Sequence, residues 1–225
     1  GAFGRRRRGQ RPGRTRTVKH RTRSPLIYRR AQFRLSAPTP ADLGEDSGLE
    51  AAFAGRSNVG KSSVLNALTG QRKLARISGT PGRTQTINVF DLDAERRLID
   101  LPGYGYARVP QAVKRRWEQA LPAYLQGRAS LRGLIVIMDV RHAPTELDLQ
   151  MLAWCADAEL PVHAVLTKAD KLKRGAARSR LAAVPEAVAE AGLELPSVQL
   201  FSATKGDGVD ELAAVLDDWL EVGNS

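Results

Sequence analysis

The stretch GRSNVGKS, Gly55 to Ser62, constrains this chain more than any other. Two glycines bracket four residues and are followed by a lysine and a hydroxyl, the pattern G-x-x-x-x-G-K-[ST]. GLEAAFAG before it reads as a buried strand, and KSSVLNALTG after it as a helix ending at Gly70. A loop in that position turns its backbone N–H groups toward one point, and the helix N-terminus adds partial positive charge there. Such a loop cradles phosphate. Gly55, Arg56, Ser57, Asn58, Val59 and Gly60 supply its backbone, Lys61 reaches the β- and γ-phosphates, and the Ser62 hydroxyl suits Mg2+.

The rest of the chain alternates. QTINVFDL, RRLIDLPG, LRGLIVIMD, PVHAVLTK and SVQLFSA read as strands. Helical patterns follow in PQAVKRRWEQALPAYLQG, TELDLQMLAWCADAEL, GAARSRLAAVPEAVAEAG and GVDELAAVLDDWLEVG. Thr145 stands as an N-cap, with Asp148 three residues on to close a capping box. The pattern predicts an α/β fold: a three-layer P-loop NTPase (Ras-like) arrangement with helices on both faces. Its sheet is expected to be mainly parallel and six-stranded, with one antiparallel edge strand. Ligands in such sheets sit at the carboxyl ends of strands.

Charge divides the chain. Its formal net charge is +11, yet residues 1–35 hold thirteen Arg or Lys and no acid, leaving 22 bases against 24 acids in residues 36–225. Residues 1–24 have almost no large apolar side chains and are read as a disordered basic tail. Three accounts of it stay open: a solvated appendage, an electrostatic grip on nucleic acid, or an extension created by where translation was assumed to start. Residues 25–48 read as a lead-in and 49–222 as the nucleotide-binding domain. One cysteine, Cys155, rules out an internal disulfide and suits a reducing cytosol. The longest apolar run, Leu134 to Met138, is too short to span a bilayer, so no membrane association is expected.

Three further motifs fall at expected strand ends. In DLPG, the Asp100 carboxylate can hold Mg2+ through water and the Gly103 N–H can sense a γ-phosphate. In TKAD, the Asp170 carboxylate can accept two hydrogen bonds from guanine, a pair adenine does not offer, while the Lys168 stem packs over the base. In FSA, the backbone of Ser202 and Ala203 can meet the base carbonyl. Between the phosphate loop and DLPG, the Gly/Pro loop ISGTPGRTQT can close over the γ-phosphate and Mg2+. Thr84 is the chosen metal ligand there, ahead of Thr80 and Thr86. Bland readings apply elsewhere: His163 and Cys155 as core residues, Trp117, Trp154 and Trp219 as packing, and the KRRW run from Lys114 either as a solvated face or as a contact for nucleic acid.

The order GRSNVGKS, TPGRTQT, DLPGYGYA, TKAD, FSA closely resembles the EngB (YihA/YsxC) GTPases, in the translation-factor-like class of P-loop GTPases. The resemblance runs from about Ser24 to the C-terminus. GRTQT leading into INVF, and DLPGYGYA, set this group apart from generic small GTPases. The resemblance implies GTP and GDP binding, hydrolysis of GTP to GDP and phosphate with Mg2+, and a cytoplasmic role in large ribosomal subunit assembly. A subunit precursor, with its rRNA and proteins, is the implied partner, and normal cell division and septation the implied dependence. It places GTP contacts at Gly55 to Ser62, at Gly82, Arg83, Thr84, Gln85 and Thr86, and at Asp100, Leu101, Pro102 and Gly103. Further contacts fall at Thr167, Lys168, Ala169 and Asp170, and at Phe201, Ser202 and Ala203. Mg2+ is assigned to Ser62 and Thr84; Lys61, Thr84, Asp100 and Gly103 serve the reaction. The protein is expected to be a monomer.

One departure bears on rate. Many GTPases carry a glutamine after the D-x-x-G glycine to orient the attacking water, and this chain has Tyr104. Slow intrinsic hydrolysis is therefore expected, with the missing polarity supplied by a partner or by a monovalent cation. Asn58 resembles the phosphate-loop asparagine of potassium-activated GTPases and is a candidate K+ ligand; otherwise it satisfies a loop backbone group. Two other functions stay in play: a basic RNA-binding protein with a vestigial nucleotide site, and a sister-family ribosome-associated GTPase.

Overall fold

In the computed structural model, which describes residues 26–75, 85–105 and 108–223, the run before the phosphate loop becomes a strand in the middle of a sheet. This strand, β2 (Leu49–Gly55), is buried at every position. In chain order the other strands are β1 (Gln32–Ala37), β3 (Ile87–Asp91), β4 (Arg96–Asp100), β5 (Leu131–Asp139), β6 (Val162–Thr167) and β7 (Val198–Leu200). The helices are α1 (Leu26–Arg29), α2 (Lys61–Thr69), α3 (Gln111–Gly127), α4 (Glu146–Asp157), α5 (Arg174–Glu190) and α6 (Val209–Trp219). The basic tail, residues 1–24, lies outside the described residues.

The sheet runs β1-β3-β4-β2-β5-β6-β7. β4, β2, β5, β6 and β7 pair in parallel, while β3 runs antiparallel to both β4 and β1. The mainly parallel α/β architecture is the expected one, but the sheet has seven strands, not six, and the reversed strand is not outermost. The lead-in supplies the difference by laying β1 along the free edge of β3. Its signal is faint because only Ala37 of β1 is buried. Its place rests on the backbone ladder to β3, a bond from Ser36 Oγ to Asn88 Oδ1 (2.6 Å), and edge-to-face packing of Phe33 on Phe90.

Alternate residues along the central strands feed two apolar layers. Ala52 and Ala54 of β2 meet Trp117 and Leu121 of α3, Met151, Leu152 and Cys155 of α4, and Val184 and Val188 of α5. On the opposite face Ala51 and Phe53 meet Leu65 and Leu68 of α2, Leu212 and Leu216 of α6, and Tyr28 of α1. Burying one such large apolar side chain stabilises the fold by roughly 1.5–3 kcal/mol. α4 starts at the expected cap: Thr145 Oγ1 accepts from the Asp148 N–H, and the Asp148 carboxylate accepts from the Thr145 N–H. Burial pushes the Cys155 thiol up to about 12, so it stays protonated in the core. Of the KRRW run, Trp117 is buried and Arg115 and Arg116 are exposed.

Charge pins the segment before β2. The buried Glu50 carboxylate receives Arg128 Nη2 at 2.7 Å and Arg97 Nε at 3.3 Å. Arg128 also donates to the carbonyls of Gly44 and Glu45. The Asp46 carboxylate accepts from the N–H groups of Ala129 and Ser130 and from the Ser130 hydroxyl. The start of β2 is thereby tied to the α3–β5 connection, which fixes where its far end delivers the phosphate loop.

His163 on β6 is 2% exposed and bonds Ser197 Oγ and Gln199 Oε1. Burial lowers its pKa, against a smaller opposing effect of the Gln199 bond. The unfolded chain therefore takes up this proton at higher pH than the folded one, and stability falls as pH drops below about 6.5. Urea unfolding at pH 7.5 and 5.5 measures the loss. The His163→Gln variant is expected to lose less than the wild type, and an equal loss in both would contradict the assignment.

Candidate functional site

Parallel strands that lie side by side deliver their carboxyl ends to one edge of the sheet. Here β4, β2, β5, β6 and β7 are consecutive, so the loops after Asp100, Gly55, Asp139, Thr167 and Leu200 gather along that edge. Four of the five carry the motifs read from the sequence.

The phosphate loop is shaped by close approach and by left-handed backbone. A Cβ on Gly55 would lie 2.9 Å from the Ile137 carbonyl oxygen, so only glycine lets the loop leave β2 this close to β5. Gly60, which caps α2, has φ +97°. Asn58 has φ +65°, a conformation that asparagine tolerates better than most side chains. The loop is braced from both sides. The Ser57 N–H donates to the Tyr104 carbonyl (2.8 Å), and the Tyr104 N–H to that of Gly55 (3.2 Å), extending the β2–β4 contact past the strand ends. From the other side Thr167 Oγ1 bonds the carbonyls of Val59 and Met138. Lys168 Nζ donates to the Asn58 carbonyl at 3.0 Å.

Beneath the loop, the Lys61 ammonium pairs with Asp100 Oδ1, and both side chains are almost fully buried. Asp100 Oδ2 is buried with no hydrogen-bond partner among the described residues. Ser62 follows Lys61 in the first turn of α2. A serine hydroxyl and a carboxylate oxygen are hard donors of the kind Mg2+ takes, and the unpartnered Asp100 Oδ2 is one such oxygen, so the residues present fit that ion. No group of three or more His, Cys, Asp or Glu is gathered among the described residues. An all-protein cage is therefore not what this edge offers within them.

At the β6 and β7 ends, Ser202 Oγ donates to Asp170 Oδ1 at 2.9 Å, and the Ala169 N–H donates to the Phe201 carbonyl at 3.1 Å. The Ser202 bond is the largest influence holding the Asp170 carboxyl below the usual carboxylate range, with Lys171 and Lys205 adding to it. The group is thus ionised at neutral pH and half-exposed. Lys168 takes a left-handed conformation, φ +62°, as the chain turns from β6 into the 3-10 turn Ala169–Lys171.

Several expected contacts are refined. The Leu101 and Phe201 side chains point into opposite apolar layers, so only their backbone faces the edge. Pro102 is half-buried and Ala203 exposed. Gln85 Nε2 donates to the Gly103 carbonyl at 3.1 Å, whereas Thr86 turns toward Asn88 at the start of β3. Gly82, Arg83 and Thr84, with Thr80, lie outside the described residues. Tyr104 is engaged away from the phosphate loop: its hydroxyl donates to Asp148 Oδ1 at 2.6 Å, at the cap of α4. Burial, then the Asp148 charge, push this phenol well above its ordinary pKa. Two residues were missed. Asp148 was read only as a cap, and Asp139 only as the end of an apolar strand; an acid closing a buried run at the ligand edge is the signal that marks Asp139.

Residues 50–168 match the family model described as a 50S ribosome-binding GTPase. The chain is 53% identical over 197 residues to the "Probable GTP-binding protein EngB" of Nitrosococcus oceani, covering 88% of this chain and 98% of that one. It is 53% identical over 202 residues to the protein of the same description from Shewanella baltica, covering 88% and 92%. Among solved structures it resembles the "Crystal structure of a probable GTP-binding protein engB" with a TM-score of 0.64 and 22% identity, covering 76% of this chain and 98% of that one. It also resembles Era in complex with MgGDPNP and nucleotides of 16S ribosomal RNA, with a TM-score of 0.55 and 21% identity, covering 77% of this chain and 57% of that one. At those identities the structures speak for the fold alone.

Proposed function

The chain belongs to the EngB family of GTP-binding proteins and is a P-loop GTPase, and from that premise we propose that it is a slow, Mg2+-dependent switch that assists large ribosomal subunit assembly. The observation that carries the proposal is the buried Lys61–Asp100 pair under a phosphate loop, beside an ionised Asp170, on one sheet edge. In this reading the N–H groups of Gly55 to Ser62 cradle the phosphates and Lys61 neutralises their charge. Ser62, Asp100 and, from outside the described residues, Thr84 would hold Mg2+, which supplies charge stabilisation at the γ-phosphate. The Gly103 N–H faces the same group. Asp170 selects guanine, the Lys168 stem covers the base, and the backbone of Ser202 and Ala203 meets its carbonyl.

The ribosomal role rests on the family description and on the basic stretch before Pro25. Cytoplasmic action and a need for the protein in division and septation belong to the same proposal. Among the described residues no helix is long and apolar enough to cross a membrane. Slow hydrolysis follows from Tyr104, whose hydroxyl is held by Asp148 and so is not free to orient water. A K+ ion held by the Asn58 amide would supply part of the missing charge.

Three measurements check this. Asp170→Asn is expected to move nucleotide preference from GTP to xanthosine triphosphate, and unchanged GTP preference would overturn the base assignment. The protein should sediment with large-subunit precursors under a non-hydrolysable GTP analogue and less so under GDP. Equal sedimentation in both states, or none in either, would sink the switch role; the same assay without residues 1–24 measures what the tail contributes. KCl should accelerate hydrolysis more than NaCl at equal ionic strength, and both Asn58→Ala and Asn58→Gly should abolish the difference. Glycine is included because it keeps φ +65° without strain. Equal rates in the two salts would exclude the cation.

A further inference from the structure

Asp139 closes β5, the strand that separates the phosphate-loop strand β2 from the base-loop strand β6. It is 8% exposed. Its Oδ1 accepts from the Arg141 N–H at 2.9 Å and from Arg141 Nε at 3.0 Å, and its Oδ2 from Arg141 Nη2 at 2.7 Å. The same Oδ2 lies 3.2 Å from Lys168 Nζ, the ammonium that donates to the Asn58 carbonyl. A carboxylate between two loops thus holds a cation that touches both. Burial alone would raise the Asp139 pKa; the bonds from Arg141, then Lys168, overcome this and hold the carboxyl far below its usual range.

We propose that Asp139 is a positioning residue for the nucleotide, fixing Lys168 so that the base-recognition loop and the phosphate loop move as one unit. Four rotatable bonds separate the Lys168 ammonium from its backbone, and an unanchored lysine samples many rotamers. Asp139 restricts that ammonium to the position from which it braces Asn58, and the stem then lies along a fixed line. Arg141 serves a different end: it satisfies the remaining carboxylate lone pairs at the start of the β5–α4 loop, and among the described residues it makes no hydrogen bond to Lys168 or Asn58. This inference rests on the proposed placement of the base against Lys168 and Asp170. Lys168 is one-third exposed, so the tie adds little to stability; its effect is expected in nucleotide retention.

The test is dissociation of a fluorescent N-methylanthraniloyl GDP from the full chain, followed by stopped flow in Mg2+ buffer. Asp139→Asn is expected to speed release about tenfold, Lys168→Met to do at least the same, and the double variant to release no faster than Lys168→Met alone. Arg141→Gln keeps the Asp139–Lys168 pair and is expected to release at the wild-type rate. Unchanged release in Asp139→Asn, additive effects in the double variant, or equal acceleration by Arg141→Gln would each overturn the proposal. Urea unfolding of each variant separates loss of fold from loss of the tie, and if Asp139→Asn does not fold, the Lys168→Met and Arg141→Gln pair decides by whether release separates them. Failure of the underlying site would look different: Asp170→Asn would then leave the preference for GTP intact.

Discussion

Lys61 and Asp100 face each other with almost no access to water, and the layout of the sheet is what allows it. Withdrawing two charges from solvent costs about as much as their attraction returns, so a pair of this kind adds little to stability over apolar residues of equal size. Its members reach one another because β2 and β4 are parallel neighbours whose ends arrive together, Phe53 in register with Asp100. The two loops leaving those ends share a short backbone ladder through Ser57, Gly55 and Tyr104. In the proposed site, a cation and a carboxylate already gathered beside the phosphate loop would be preorganised for a polyanion and its metal, and preorganisation is where most of the catalytic benefit in phosphoryl transfer arises.

Much of this was legible because local and global signals agree. The buried run before Gly55 had to be a central strand, and the residue types of the phosphate loop left one kind of ligand. The Thr145–Asp148 cap and the Gly70 terminus fell where capping chemistry puts them. β1 was not legible, since a strand whose side chains mostly face water carries no alternation; backbone pairing with β3 defines it, and pairing leaves no trace in hydropathy. The second half of each polar network was also hidden. Asp139 lies 29 residues from its partner Lys168 and Asp148 lies 44 from its partner Tyr104 along the chain, and only the fold brings each pair together.

The cap of α4 shows how one residue can serve two purposes. Asp148 Oδ2 closes the helix N-terminus through Thr145, which any acid at the third position could do. Its Oδ1 is given to Tyr104, the residue after the D-x-x-G glycine. The loop that faces the γ-phosphate in the proposed site is therefore joined to the start of α4 by a part-buried hydrogen bond. A change in that loop must either carry α4 with it or break a bond to a buried charged group, which costs roughly 1.5–3 kcal/mol.

Two non-glycine residues in the site are left-handed, Asn58 and Lys168, and a hydrogen bond joins them. Such backbone costs about 1–2 kcal/mol for a side chain like lysine, less for asparagine. Strain of this kind persists only where the surroundings over-determine it. Here they do: Asp139 holds the Lys168 ammonium, Thr167 holds the Val59 carbonyl, and Gly55 lets the loop lie against β5. Asn58 therefore has a reason to be asparagine that needs no bound cation, because its backbone occupies a region few other side chains accept. A K+ role for its amide would be a second use of a residue already selected by conformation, which is why a glycine at that position separates the two.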